Sequence, residues 1–164
     1  MRRFMLSAAL VAALSLVAAT AAFAGGVIHH VSAGTADACF AFGARPGCDA
    51  NFSLVADQYA NGSVKGQFTD RSKRLGGFTA SIDCLSINGT EAWVSGVITS
   101  GTFAGEDLTG LAVSTMVKDN GTTANDPPDQ ISFTYWGGDL AFSCTTQSEG
   151  FGLLDAPQGQ VTVR

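Results

Sequence analysis

Polar and apolar residues alternate through much of the chain. Phe52-Ser-Leu-Val-Ala-Asp-Gln-Tyr59 is followed by Ala-Asn-Gly and then by Ser63-Val-Lys-Gly-Gln-Phe-Thr69. In the second run Val64 and Phe68 fall on one face, and Lys65, Gln67 and Thr69 on the other. A period of two marks a half-buried β-strand, because successive side chains point to opposite faces. The pattern returns in Phe78-Thr-Ala-Ser-Ile-Asp83, with Phe78, Ala80 and Ile82 inward, and slips by one at Cys84-Leu85. Such a slip predicts a β-bulge or strand bend there. Asn88-Gly89 is a strong hairpin signal, since both residue types tolerate positive φ, and it leads into a strand over Glu91 to Thr99. Further strands are predicted at 108–118, 130–136, 139–144 and 159–163, with Val27 to Val31 as an early addition.

Helix signals are nearly absent after the first residues. Gly occurs 20 times, and no window shows apolar recurrence at i, i+3, i+4 and i+7. The expected fold is all-β: a single-domain antiparallel meander of about eight strands. A closed up-and-down barrel is preferred over a two-sheet sandwich, because closure removes exposed edges. The sandwich stays open as an alternative, with longer crossings at 119–129 and 145–158.

The first residues break the pattern. Arg2 and Arg3 precede an apolar run from about Phe4 to Ala19, and Ala22-Phe23-Ala24 supplies small residues at a cleavage site. This predicts a signal peptide over 1–24, with residues 25–164 as a single β-domain opening at Gly25. The first cysteine is Cys39, so no lipid attachment residue lies near the cleavage point. The expected destination is secreted or periplasmic. The whole chain carries a net charge of −5, and loss of Arg2 and Arg3 makes it more acidic still. An acidic surface argues against nucleic acid and against insertion in or attachment to anionic membranes. Arg71, Lys73 and Arg74 form the one basic cluster and read as a solvated turn.

In an exported chain the even set Cys39, Cys48, Cys84 and Cys144 implies two disulfides. No C-x-x-C or C-x-x-H spacing supports zinc. Of the three connectivities, Cys39–Cys48 with Cys84–Cys144 is favoured. The first closes a short loop turned by Pro46-Gly47, and the second staples two distant strands.

Candidate chemistry is sparse. KDNGTTANDPPDQ places Asp119, Asp126 and Asp129 in one loop, where carboxylate and carbonyl oxygens could hold calcium, with Glu106 or Asp107 as further ligands. The spacing is not that of an EF-hand, and turn chemistry explains the same residues: Asp-Asn-Gly ends a strand and Pro127-Pro128 forbid ladder bonding. Calcium is therefore the lesser reading, and no other cofactor is expected. His29 and His30 are adjacent, so in a strand they face opposite ways and cannot clasp one ion together. Neither G-x-S-x-G nor H-E-x-x-H is present to make one of them catalytic. Glu91, Glu106, Glu149 and the aspartates are numerous enough for glycoside hydrolysis, but sequence spacing sets no two across a cleft. No catalytic residue is assigned. Trp93, Tyr135 and Trp136 are candidate binding aromatics, both tryptophans falling in phase with the less buried face. Asn51, Asn61, Asn88 and Asn120 match the glycosylation acceptor pattern, and three of these are Asn-Gly turns.

The segments HVSAGTADACFAFGARPGCDANFSL, SVKGQFTDR, DCLSINGTEAWVSGVIT, VKDNGTTANDPPDQISF and PQGQVTV resemble a family of small secreted bacterial all-β proteins of unknown function. The resemblance runs from His30 to Val163. It implies export and one compact β-domain, and transfers no catalytic residue. The expected function is that of a non-catalytic secreted β-domain acting in surface interaction or binding, toward an unidentified extracellular or periplasmic partner or ligand. A small-ligand carrier barrel, and after it a hydrolase, are the alternatives.

Overall fold

The alternation read at Phe52 is one of burial: Phe52, Leu54 and Ala56 are buried, while Asn51, Ser53 and Val55 between them are exposed. The computed structural model describes residues 25–35, 50–123, 125–138 and 144–164. The segment 1–24, the Cys39–Cys48 loop and all but Cys144 of the strand expected over 139–144 lie outside them. The described strands are β1 (Val27–Thr35), β2 (Ala50–Tyr59), β3 (Val64–Ser72), β4 (Gly76–Asn88), β5 (Glu91–Phe103), β6 (Glu106–Asp107), β7 (Ala112–Lys118), β8 (Gln130–Ser132), β9 (Tyr135–Trp136), β10 (Leu153–Asp155) and β11 (Gln160–Val163). Cys144–Thr146 forms a single 3-10 turn.

All of these strands join one antiparallel sheet, in the order β10-β8-β7-β5-β4-β3-β2-β1-β11, with β6 on β5 and β9 on β7. Nine strands laid flat would separate β10 from β11 by about 38 Å, at roughly 4.8 Å per strand. Only residues 156–159 join the two, a reach of at most about 18 Å. The sheet must therefore curl until its ends meet. Glycine helps it do so. Gly66 and Gly96 both pair with Ile82, one on each side. A Cβ at Gly96 would overlap the Ser81 carbonyl oxygen.

The expected closed barrel is not formed. The sheet is open between β11 and the β7–β8 side, because among the described residues no backbone ladder crosses that gap. Pro127 and Pro128 precede β8 and carry no amide hydrogens. Side chains cross instead: Val161 N donates to Asp129 Oδ2 at 2.6 Å, and Val163 N donates to Asp119 Oδ2 at 3.1 Å. The strand count also exceeds the expected eight, in part because the predicted 130–136 strand is split at Phe133-Thr134 into β8 and β9. The strand predicted from 108 begins at Ala112, since Leu108–Leu111 turns, with Leu111 N bonded to Leu108 O. The Asn88-Gly89 hairpin is present one residue later, as a Gly89-Thr90 turn between paired Asn88 and Glu91, with φ +61 at Gly89. The bulge anticipated at Cys84 falls between Ile82 and Cys84.

The inside of the curl is filled. Val31, Leu54, Phe68, Val94, Ile98, Val113, Val117 and Val161 are fully buried there, each contributing about 1.5–3 kcal/mol on removal from water. A smaller cluster of Trp93, Met116, Cys144 and Phe151 lies apart from this core. Residues 144–151 form a strap over β4, β5 and β7, held by the Cys84–Cys144 disulfide, by Trp93 Nε1 donating to Ser148 O at 3.0 Å, and by Gln147 Nε2 donating to Ser86 Oγ at 2.8 Å. That disulfide is the pairing expected from sequence. Among the described residues, no helix is long and apolar enough to cross a membrane.

Candidate ligand pocket

On β3 the inward phase that buries Phe68 continues through Asp70. In register Asp70 stands between Phe52 of β2 and Phe78 of β4, both buried. A carboxylate flanked by two phenylalanines has lost much of its hydration. Burial pushes its pKa above the ordinary aspartate value, against the opposing effect of hydrogen bonds from Thr134 and the Arg71 backbone. Thr134 Oγ1 donates to Asp70 Oδ2 at 2.8 Å. The split between β8 and β9 is what brings Phe133 and Thr134 over Asp70.

Around this carboxylate is a cavity of about 100 Å³, lined by aromatic rings of Phe78, Phe103, Phe133 and Trp136 together with Ser72, Gly76, Gly77 and Thr134. Trp136 faces inward from β9, where it pairs with Val113. Its ring lies 5.0 Å from that of Phe103 and 6.3 Å from that of Phe78, tilted by 57° and 59°. The rings thus meet at angles, as walls of a recess, and do not stack flat. Gly76 makes the rim possible: its φ is +95, and a Cβ there would overlap the Thr102 carbonyl. None of the lining residues is Lys or Arg, so Asp70 is the only charge in the recess. On the other side of the same hairpin end, an open groove of about 410 Å³ is lined by Asn51, Arg71, Lys73, Thr79 and Ser100.

The residues singled out in sequence are distributed differently. Trp136, expected on the less buried face, instead turns inward against the core and belongs to the recess, because the break at Phe133-Thr134 resets the phase of β9. Tyr135, next to it, faces the other side of the sheet and meets Phe151 edge-on at 5.2 Å. Trp93 is in the outward phase expected of it, but it is buried under the strap and not exposed as a platform. The three aromatics therefore do not form one surface.

Asp119 and Asp129 lie at the seam of the curl. Besides the bonds to β11, Asp129 Oδ1 accepts from Asn120 N at 2.8 Å, and Asp119 Oδ1 accepts from Gly121 N at 3.0 Å. Asp126 Oδ2 accepts from Thr123 N at 2.8 Å, and these Thr123 contacts hold its pKa below the ordinary range. Glu106 and Asp107 stand on β6 against Phe103 and Thr102, where Asp107 Oδ1 accepts from Thr109 N. Among the described residues, no three His, Cys, Asp or Glu side chains gather as a metal-binding set. His30 Nδ1 lies 2.7 Å from Asp57 Oδ1 at a half-buried position, and His29, the preceding position on the ladder to β2, takes the opposite phase. Glu91 pairs with Lys118 at 3.1 Å.

Sequence reasoning missed Asp70, Phe78, Phe103 and Phe133 as site residues. The signal was there for Asp70, which extends the apolar phase of Val64 and Phe68 by one step. No family model matches the chain, and comparison with curated proteins and with solved structures finds no match either.

Proposed function

We propose that the protein is a non-catalytic, secreted or periplasmic β-domain that binds a ligand in the recess at the mouth of the curl. The observation that carries this reading is the meeting of the desolvated Asp70 carboxylate with four aromatic rings around a cavity. A carboxylate between phenylalanines weakens the fold where it stands, so its placement serves a ligand better than it serves folding. Pockets that bind small molecules have this composition: apolar walls and a few placed polar groups. The filled interior favours binding at the mouth over carriage within a barrel. Against catalysis, the carboxylates of Asp119, Asp126 and Asp129 accept backbone amides, and Glu91 is held by Lys118. Export is supported by the Arg2–Ala24 pattern and by the Cys84–Cys144 disulfide, which oxidising compartments preserve.

An NMR fragment screen of the chain beginning at Gly25 tests the reading. Binding fragments are expected to shift the signals of Asp70, Phe103, Thr134 and the Trp136 indole together. Hits confined to the Arg71–Lys73 groove, or no hits at all, would reject it.

A further inference from the structure

Resting on that reading, we infer that the recess takes a compact organic cation: an alkylated ammonium group held by the aromatic walls of Phe78, Phe103, Phe133 and Trp136 and neutralised by Asp70. Charge selects first. Asp70 is the sole ionisable side chain in the lining; it repels anions and offers a neutral donor a hydrogen bond but no ion pair. A cation entering the recess gains an ion pair in a site of reduced dielectric, and removes the unfavourable isolation of the carboxylate.

The walls select next. Aromatic rings attract cations through their negative faces, and cages of such rings are a known solution for quaternary ammonium groups. Hydrogen-bond supply narrows the class further. A primary ammonium brings three donors, and the side-chain acceptors stand only at Asp70, Ser72 and Thr134, while the remaining side-chain walls are rings, which accept no ordinary hydrogen bond. A methylated ammonium brings few donors or none, so it enters without leaving one unsatisfied. Size closes the argument. At about 100 Å³ the recess is small against the roughly 300–1,000 Å³ of ordinary ligand pockets, which suits a compact ammonium head better than a large ligand. Either a free small molecule or a methylated lysine side chain could present such a head.

The test is an NMR titration with tetramethylammonium, choline, a trimethyl-lysine peptide, and 3,3-dimethylbutanol as the neutral isostere of choline. The cations are expected to shift Phe103, Phe133 and Trp136 signals. The neutral isostere is expected to bind about tenfold or more weakly, the scale of a lost ion pair and cation–π contact. Asp70→Asn keeps the shape and the Thr134 contact. It should weaken cation binding several-fold while leaving the affinity of the neutral isostere nearly unchanged and the rest of the spectrum native. Phe133→Ala, at a half-exposed ring, should weaken cation binding several-fold without touching the core. Tighter binding of the peptide than of choline would assign the head to a side chain, and the reverse to a free molecule; both support the inference. Equal binding of choline and its neutral isostere in the recess would overturn the cation and leave the pocket standing. Failure of all four ligands to shift the recess signals would overturn the cation. If the fragment screen were also silent there, the pocket reading would fall with it.

Discussion

Asp70 has opposite consequences for folding and for binding. Because desolvation dominates, its folded pKa is raised above the unfolded value. The sign follows from proton linkage: below the unfolded pKa the group is neutral in both states and carries no penalty. As pH rises through the folded pKa, the charged form must be accommodated between Phe52 and Phe78, and stability is lost. Asp70→Asn should therefore be more stable than the parent at neutral pH, with the difference shrinking toward acid. Thermal melts of both proteins across pH 3 to 8 would show this; a variant less stable at pH 7 would mean that the charge assistance in the hydrogen bonds from Thr134 and the Arg71 backbone outweighs burial. The same residue shows what the sequence made legible. Its phase with Phe68 was readable, and with it the oddity of an acid on an apolar face. The walls were not, because Phe103, Phe133 and Trp136 are brought to it by a bulged strand and a split strand whose geometry no local pattern encodes.

At the level of the strand, β11 shows how an open sheet protects an edge. Its residues alternate between pairing with β1 and presenting amides outward, and the outward amides of Val161 and Val163 meet the Asp129 and Asp119 carboxylates. Edge strands with bare amides invite pairing with other chains, and two aspartates here do what a further strand would do in a closed barrel. The loop carrying them was conspicuous in sequence, as Asp-Asn-Gly and Asp-Pro-Pro-Asp. Its role was not, since its partners lie 32 and 44 residues further along the chain. Closure is hidden for the same reason: a meander of alternating strands does not reveal whether the last gap is bridged by backbone or by side chains. Asp129→Ala leaves the amides of Asn120 and Val161 without their acceptor. At about 1–3 kcal/mol for the buried Val161 donor, and less for the half-buried Asn120 donor, the cost should be about 2–4 kcal/mol in urea unfolding. Asp129→Asn, which keeps one acceptor oxygen, should lose less. Hydrogen exchange should accelerate first at Val161, and an Ala variant of parental stability with protected β11 amides would remove the seam from the account of the fold.

The whole molecule is a filled curl with two additions on different faces: the recess at its mouth and the strap on its outer side. The Trp93 phase, outward between Ala92 and Val94, was correct in sequence; what hides that ring is a segment more than fifty residues away, which alternation cannot foresee. The two additions should be separable. Replacing Cys84 and Cys144 together with serine removes a link spanning 60 residues while leaving the other two cysteines unaltered, which chemical reduction would not. The expected loss is about 2–4 kcal/mol, or several degrees in Tm. With the strap loosened, Trp93 should meet water. There are two tryptophans in the chain, so a Trp136→Phe background isolates its emission, which should shift to the red. Trp136 sits on the inner face, in contact with Phe78 and Phe103 and not with the strap cluster. The double serine variant with Trp136 intact should therefore retain its strand signature in circular dichroism and bind ligand in the recess with parental affinity. If recess binding fell together with Trp93 burial, strap and mouth would be one cooperative unit, and the disulfide would hold the binding site and not only the outer layer.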